Sequence, residues 1–369
     1  VLGPITGGVY DQANRGKVFD GGGAVYNVKA PQFGAVGDGV TDDTAAITKA
    51  LTSAASGGVV YLPCGNYKVT SGFTINATAG ITFRGCAKPS NNFASAGTRI
   101  TYSGSSTALF VVGGSDTRTI AWEDLAVILS GSAPGAFDVR DQSRFYRWTN
   151  VYIEGYDKVT PYGIKMTGES SCNCFHEGRN VQLNVLKDGI IFSGYANANN
   201  FYDTHCQNAD QCYVFEAAGS DTGAGDDNLM VRAEMAGSGV ADGLILDAGA
   251  DRNVFIGLVA DGPVNSVDIQ SASALYNVFI GGRIPNVTTV SGGLTNQISL
   301  GHQFSSTNAQ TTAVMAKGLR ALPLAGATPG TCNGNTEGMI FYDDDVNELC
   351  VCVSGTGWVQ IDDMSTACS

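Results

Sequence analysis

The sequence predicts an all-β solenoid, on three observations. Five segments align after residue 170: NCFHEGR from Asn173, NFYDTHC from Asn200, NLMVRAE from Asn228, NVFIGLV from Asn253 and NVFIGGR from Asn277, with successive asparagines 27, 28, 25 and 24 residues apart. A second column recurs in phase, YGIKMTG at 162, DGIIFSG at 188, CYVFEAAG at 212 and DGLILDAG at 242, each with apolar residues at alternate positions. Period-2 strands returning at that interval describe rungs that stack on their neighbours. Composition agrees. Glycine supplies 49 of 369 residues and charged side chains 15%, against norms of about 7% and about 25%. Such a chain favours short strands and turns over helices.

Residues 1–24 read as a polar, glycine-rich arm closing with Gly21, Gly22 and Gly23. FGAVGDGVTDDTAAI, residues 33–47, follows. Thr41 or Asp42 serves as an N-cap, Asp42 and Asp43 suit the positive end of a helix dipole, and Ile47, Leu51 and Ala54 make one apolar face. Gly57 and Gly58 stop the helix, which is placed at 41–56. The glycines match neither GxGxxG nor GxxxxGK[ST], and Asp38, Asp42 and Asp43 would repel a phosphate. The ligand spacing of an EF-hand is missing too. The stretch reads as scaffold.

In the solenoid, Ile164, Met166, Ile190, Phe192, Tyr213, Phe215, Leu244 and Leu246 are assigned to the core. The column asparagines are assigned to tight corners, where stacked amides form a ladder. Ile191, Val214 and Ile245 face outward, and an exposed apolar strip marks an interface. Packing in a homo-oligomer or cover by the N-terminal arm would each account for it. Residues 304–330, rich in Ala, Thr, Ser and Gly, read as a linker. Residues 331–369 read as a small disulfide-bonded β-module carrying Cys332, Cys350, Cys352 and Cys368.

A formal charge of −13 argues against nucleic acid as a partner, because phosphate neutralisation needs basic surface. No apolar run reaches the length of a membrane span. Ten cysteines without zinc spacing indicate disulfides and an oxidising compartment, so the chain reads as a processed secreted form. Cys64 and Cys86 are 22 residues apart, about one rung, and are expected to pair. Cys172, Cys174, Cys206 and Cys212 are expected to pair among themselves, as are the four C-terminal cysteines. Asn76-Ala-Thr and Asn286-Val-Thr are glycosylation sequons.

FGAVGDGVTDDTAAI, its helix, GGVVYLPCGNYKV and the short-strand solenoid together resemble the pectate-lyase-like superfamily. That resemblance implies a right-handed parallel β-helix over residues 25–303 with an N-terminal capping helix. The superfamily includes polysaccharide lyases, glycoside hydrolases, uronan epimerases and phage tailspikes. Neither the NTD…DD…HG series of polygalacturonases nor the DPH motif of the epimerases occurs here. The resemblance therefore implies the fold and leaves the reaction open.

Members of that superfamily bind glycans along one outer face, across rungs. Counting from the column asparagines gives His176, Glu177 and Arg179 on one rung, Asp203 and His205 on the next, and Arg232 and Glu234 on the third. Arg147 and Trp148 approach from the preceding rung. Two of only three histidines belong to this group. In β-elimination on a uronate, Arg179 or Arg232 neutralises the sugar carboxylate, His205 removes the C5 proton and Tyr202 donates a proton. In hydrolysis, Asp203 and Glu234 (or Glu177) form a carboxylate pair. Arg147, Trp148, His176, Glu177 and Arg179 are assigned to substrate binding. The bland account is that these charges form cross-rung ion pairs. Asp226 and Asp227 sit at a corner that would either bind Ca2+ or form an ordinary turn. The reading is a secreted, polysaccharide-cleaving lyase acting on a uronic-acid-containing glycan. A glycoside hydrolase and a non-catalytic glycan-binding or fibre-forming protein are the alternatives.

Overall fold

The computed structural model describes residues 24–285 apart from 77–79, 88–96, 114–118, 170, 218–223, 238 and 272, and elsewhere gives strand assignments alone. The calls on residues 1–24, 304–330 and 331–369, on Asn286, and on the four C-terminal cysteines lie outside the described residues.

The chain is a parallel β-solenoid with one short helix among the described residues. One series of stacked strands runs Gly58–Leu62, Ile81–Gly85, Ile120–Leu129, Arg147–Glu154. The next three rungs break at a corner, as Glu177–Arg179 with Gln182–Asn184, Asn200–Tyr202 with His205–Gln207, and Leu229–Val231 with Glu234–Ala236. Val254–Asp261 and Val278–Arg283 continue the series. The second series includes Gly135–Val139, Tyr162–Gly168, Asp188–Gly194, Gln211–Glu216 and Asp242–Leu246. Neighbouring strands within each series pair in parallel.

The helix spans Thr44–Ser53, shorter than 41–56, and no acidic residue falls in its first turn. The carboxylates are engaged in the loop instead. Asp43, 1% exposed, accepts the N–H groups of Val36 and Gly37 at 2.7 and 3.0 Å. Asp42 accepts the Thr44 N–H and the hydroxyls of Thr44 and Thr70, and Asp38 takes the N–H groups of Val40 and Thr41. Gly37 has φ +68°, and a Cβ there would lie 2.9 Å from Lys29 Cε. All three carboxylates are thus bonded to backbone N–H groups and hydroxyls of the same stretch and of Thr70.

All eight residues assigned to the core are buried. An aromatic file runs along the axis, from Phe83 to Trp122, Trp148 and Phe201, with near-parallel rings at each step. Gly178 occupies the rung between Trp148 and Phe201. A Cβ on it would meet Phe201 Cδ1 at 2.3 Å, so its bareness lets Phe201 reach Trp148.

The ladder exists, with a corrected membership. Asn199 Oδ1 accepts the His176 N–H at 2.9 Å, Asn228 Oδ1 accepts that of Asn199 at 2.9 Å, and the pattern continues through Asn253 and Asn277. Asn199 takes the place assigned to Asn200, and His176 the place assigned to Asn173. The residue before each ladder position is left-handed: Phe145, Phe175, Ala198, Asp227, Arg252 and Tyr276 have φ between 55° and 63°. A second left-handed column forms the corner of the first series, at Asp124, Asn150, Asn180, Asp203, Arg232, Gly257 and Gly281.

Cys64 bonds Cys86, Cys172 bonds Cys174 and Cys206 bonds Cys212, in the groups expected. Ile191, Val214 and Ile245 do stack on successive rungs. They are only 4–6% exposed within the single chain, where Tyr162 packs against them. An oligomer interface is therefore not needed to cover them. No helix among the described residues is long and apolar enough to cross a membrane.

Candidate functional site

Two residues after the corner column, side chains return to the outer face. This offset aligns Tyr152, Gln182, His205, Glu234 and Val259. One residue before the corner, Arg179, Tyr202, Val231 and Ile256 align. The corner itself contributes Asp203 and Arg232. Seven of the predicted residues, Glu177, Arg179, Tyr202, Asp203, His205, Arg232 and Glu234, thus share one outer surface around this corner.

Two others do not. Trp148 and His176 are 0% exposed, and neither reaches a glycan on the outer face. Strand alternation is the reason, since Arg147 points out and Trp148 must point in. His176 points inward with the ladder. Its Nδ1 accepts the Tyr146 N–H at 3.0 Å, so Nε2 carries the proton and faces Asn173 Oδ1 at 2.5 Å. Burial pushes its imidazole down to about 3. Arg147 is exposed but turns to the preceding rung, donating to Glu123 at 2.9 Å, and Arg84 shares that carboxylate at 3.0 Å.

At the surface cluster, Arg232 donates to Asp203 through Nε and Nη2 at 2.5 and 2.8 Å. This bidentate contact holds the Asp203 carboxyl below the usual range. Arg179 pairs with Glu177 and lies over the Tyr202 ring, 4.4 Å from its centroid. His205 Nε2 lies 4.0 Å from Glu234 Oε2 and has no hydrogen-bond partner among the described residues. The imidazole is 34% exposed and the carboxylate 48%. The arrangement combines a free imidazole, a carboxylate able to orient it, a phenol and two guanidiniums.

Counting from the corner also finds what counting from the asparagines missed. Tyr152 stands at the His205 offset two rungs earlier; its hydroxyl donates to Glu154 Oε2 at 2.5 Å and accepts from Asn184 Nδ2 at 3.2 Å. Burial first, then Glu154, raises the phenol above its ordinary range. The signal was the offset of two from Asn150, equal to that of His205 from Asp203.

The calcium assignment is not supported. Arg252 donates to both Asp226 and Asp227 at 2.8–3.3 Å, filling the space a cation would take. Asp226 Oδ1 also accepts the Asp251 N–H at 3.0 Å. No group of three or more His, Cys, Asp or Glu residues converges to hold a metal among the described residues.

The described residues form a parallel β-solenoid that carries a polar outer corner. The chain belongs to the rhamnogalacturonase A/epimerase, pectate lyase-like family, whose profile matches residues 25–209. It is similar to mannuronan C5-epimerase AlgE5 of Azotobacter vinelandii, 61% identical over 49 residues, or 13% of this chain and 5% of that one. Alginate lyase 7 of the same organism is 59% identical over 49 residues, 13% of this chain and 6% of that one. The chain thus matches a small part of each curated relative. The catalytic unit of the GH87 α-1,3-glucanase of Streptomyces thermodiastaticus superposes with TM-score 0.55 at 15% identity, covering 82% of this chain and 53% of that one. That likeness is one of fold.

Proposed function

We propose that the chain cleaves a uronic-acid-containing polysaccharide by β-elimination on the outer corner face, with His205 as the base. One observation carries the reading: His205 is an outward imidazole whose Nε2 has no hydrogen-bond partner among the described residues and lies 4.0 Å from Glu234. Glu234 faces Nε2 and balances the imidazolium by charge, and Nδ1 accepts the C5 proton. The C5–H electrons form the C4–C5 double bond, the C4–O4 bond breaks, and Tyr202 protonates the departing oxygen. Arg179 and Arg232 each hold one chain carboxylate and retain further N–H donors for the sugar carboxylate. The names of the relatives, a mannuronan epimerase and an alginate lyase, support a uronate polymer. C5 proton removal is a step common to epimerisation and elimination. Disulfides support an extracellular setting.

A hydrolase on this face would need one carboxyl held protonated. Asp203 is held ionised by Arg232, so Glu234 or Glu177 would have to be the acid. Incubation with a panel of uronate and neutral glycans separates the readings. Elimination gives an ultraviolet-absorbing unsaturated end, and hydrolysis gives reducing ends without it. Turnover of none of them leaves glycan binding or fibre formation.

A further inference from the structure

On the outer surface beside the ladder, Phe145 and Phe175 are 51% and 50% exposed. Their rings stack at 5.6 Å and 16°. Both occupy the left-handed column, whose members lie one rung apart: Phe145 N–H donates to Cys174 O, and Ala198 N–H to Asp226 O. The stack therefore runs along the axis, and the second face of Phe175 looks toward the next rung. The column holds only Ala198 there, itself partly exposed. One rung further stands Asp227, joined by two hydrogen bonds to Arg252 of the rung beyond, and each is about half exposed. With rungs about 4.8 Å apart, the short side chain of Ala198 leaves a notch about two rungs wide among the described residues. An aromatic face forms one wall and a carboxylate–guanidinium pair the other. Asn200, outward on the Ala198 rung, has a side-chain amide with no hydrogen bond among the described residues.

We propose that this notch is a sugar subsite, taking one neutral pyranose ring stacked by its C–H face on Phe175. Its hydroxyls are held by Asp227, Arg252 and Asn200. Aromatic burial supplies the apolar contact, and the polar wall supplies donors and acceptors in pairs. Arg252 already faces two carboxylates, Asp226 and Asp227, so the notch disfavours a uronate and favours a neutral unit. This rests on the polysaccharide reading and narrows it to a glycan in which neutral sugars accompany uronates.

The test is affinity electrophoresis of the full chain through gels containing either alginate, a uronate homopolymer, or rhamnogalacturonan, in which a neutral sugar alternates with a uronate. The wild type is expected to be retarded more by rhamnogalacturonan. Phe175→Ala should weaken that binding about tenfold, or about 1.4 kcal/mol. Ala198→Phe, which fills the notch without removing the stack, should do the same, while Phe175→Trp should retain binding. Retardation unchanged by Phe175→Ala and Ala198→Phe overturns the subsite alone. A wild type retarded by neither polymer overturns the subsite together with the reading beneath it.

Discussion

His176 accepts the backbone N–H of Tyr146 through Nδ1 at 3.0 Å, one rung before Asn199 Oδ1 accepts that of His176 at 2.9 Å. An imidazole nitrogen and an amide oxygen thus serve as equivalent acceptors in one ladder. The imidazole adds a second bond, to Asn173, whose amide in turn donates to Val139 O and Thr167 O.

His176→Ala should therefore cost more than His176→Asn, by roughly the 1–3 kcal/mol of a buried polar group left unsatisfied. Chemical denaturation of the two variants measures the difference.

The same histidine gives a pH signature. Its imidazole is pushed down to about 3 when folded, against about 6.5 when unfolded. Below about pH 6.5 the unfolded chain binds a proton that the folded chain refuses until about pH 3. This contribution is whole above about pH 6.5 and is lost as the pH falls between those values. Wild type should lose about 1.4 kcal/mol per pH unit more than His176→Asn across that window. Parallel slopes for the two proteins would show that His176 does not titrate in this way.

Activity should separate the outer residues from the buried ones. Under elimination, His205→Ala lowers turnover about 10²–10⁴-fold with little change in stability, since an exposed side chain contributes little to folding. Under hydrolysis, Glu234→Gln and Asp203→Asn abolish turnover while His205→Ala is mild. Kinetics on the glycan that gives product, paired with thermal melts, decides between them.

Gly178→Ala should destabilise by about 1–3 kcal/mol, the usual penalty of overpacking a filled core. Its new methyl would collide with Phe201. Phe201→Leu in the same chain should relieve part of that loss, a coupling visible in a double-mutant cycle.

Val214, 6% exposed between Ile191 and Ile245, gives a test of the covered strip. Val214→Asp should cost several kcal/mol by burying an unpaired charge, about the 3–5 kcal/mol of a broken buried pair. If the strip is covered within one chain, light scattering should give the same mass before and after Val214→Thr.

The solenoid was legible because its period is written in apolar alternation, and the buried members of each run followed directly. Register was harder. Asn199 and Asn200 are adjacent, and only the left-handed residue before the ladder position tells them apart. His176 carries no asparagine signature at all, because hydrogen-bond geometry, not residue type, qualifies it. Trp148 was misplaced by counting residues beside Arg147 as neighbours on one surface, when a strand sends them to opposite sides. The outer polar residues around Asp203 and Arg232 were found because in a chain so poor in charge they stand out. Cover over Ile191, Val214 and Ile245 depends on tertiary packing that alternation does not encode.

The left-handed corner column, from Asp124 through Asp203 and Arg232 to Gly281, has a consequence for how such a chain changes length. Aspartate, asparagine, arginine and glycine all stand there with nearly one backbone geometry, so rungs are interchangeable at that joint. A single residue inserted within a strand would turn the rest of that strand to the opposite face. A whole duplicated rung would displace nothing and would extend the outer surface by one step. Growth by duplication is thus quantised, and each added unit arrives with its corner already formed and its outward residue free to vary.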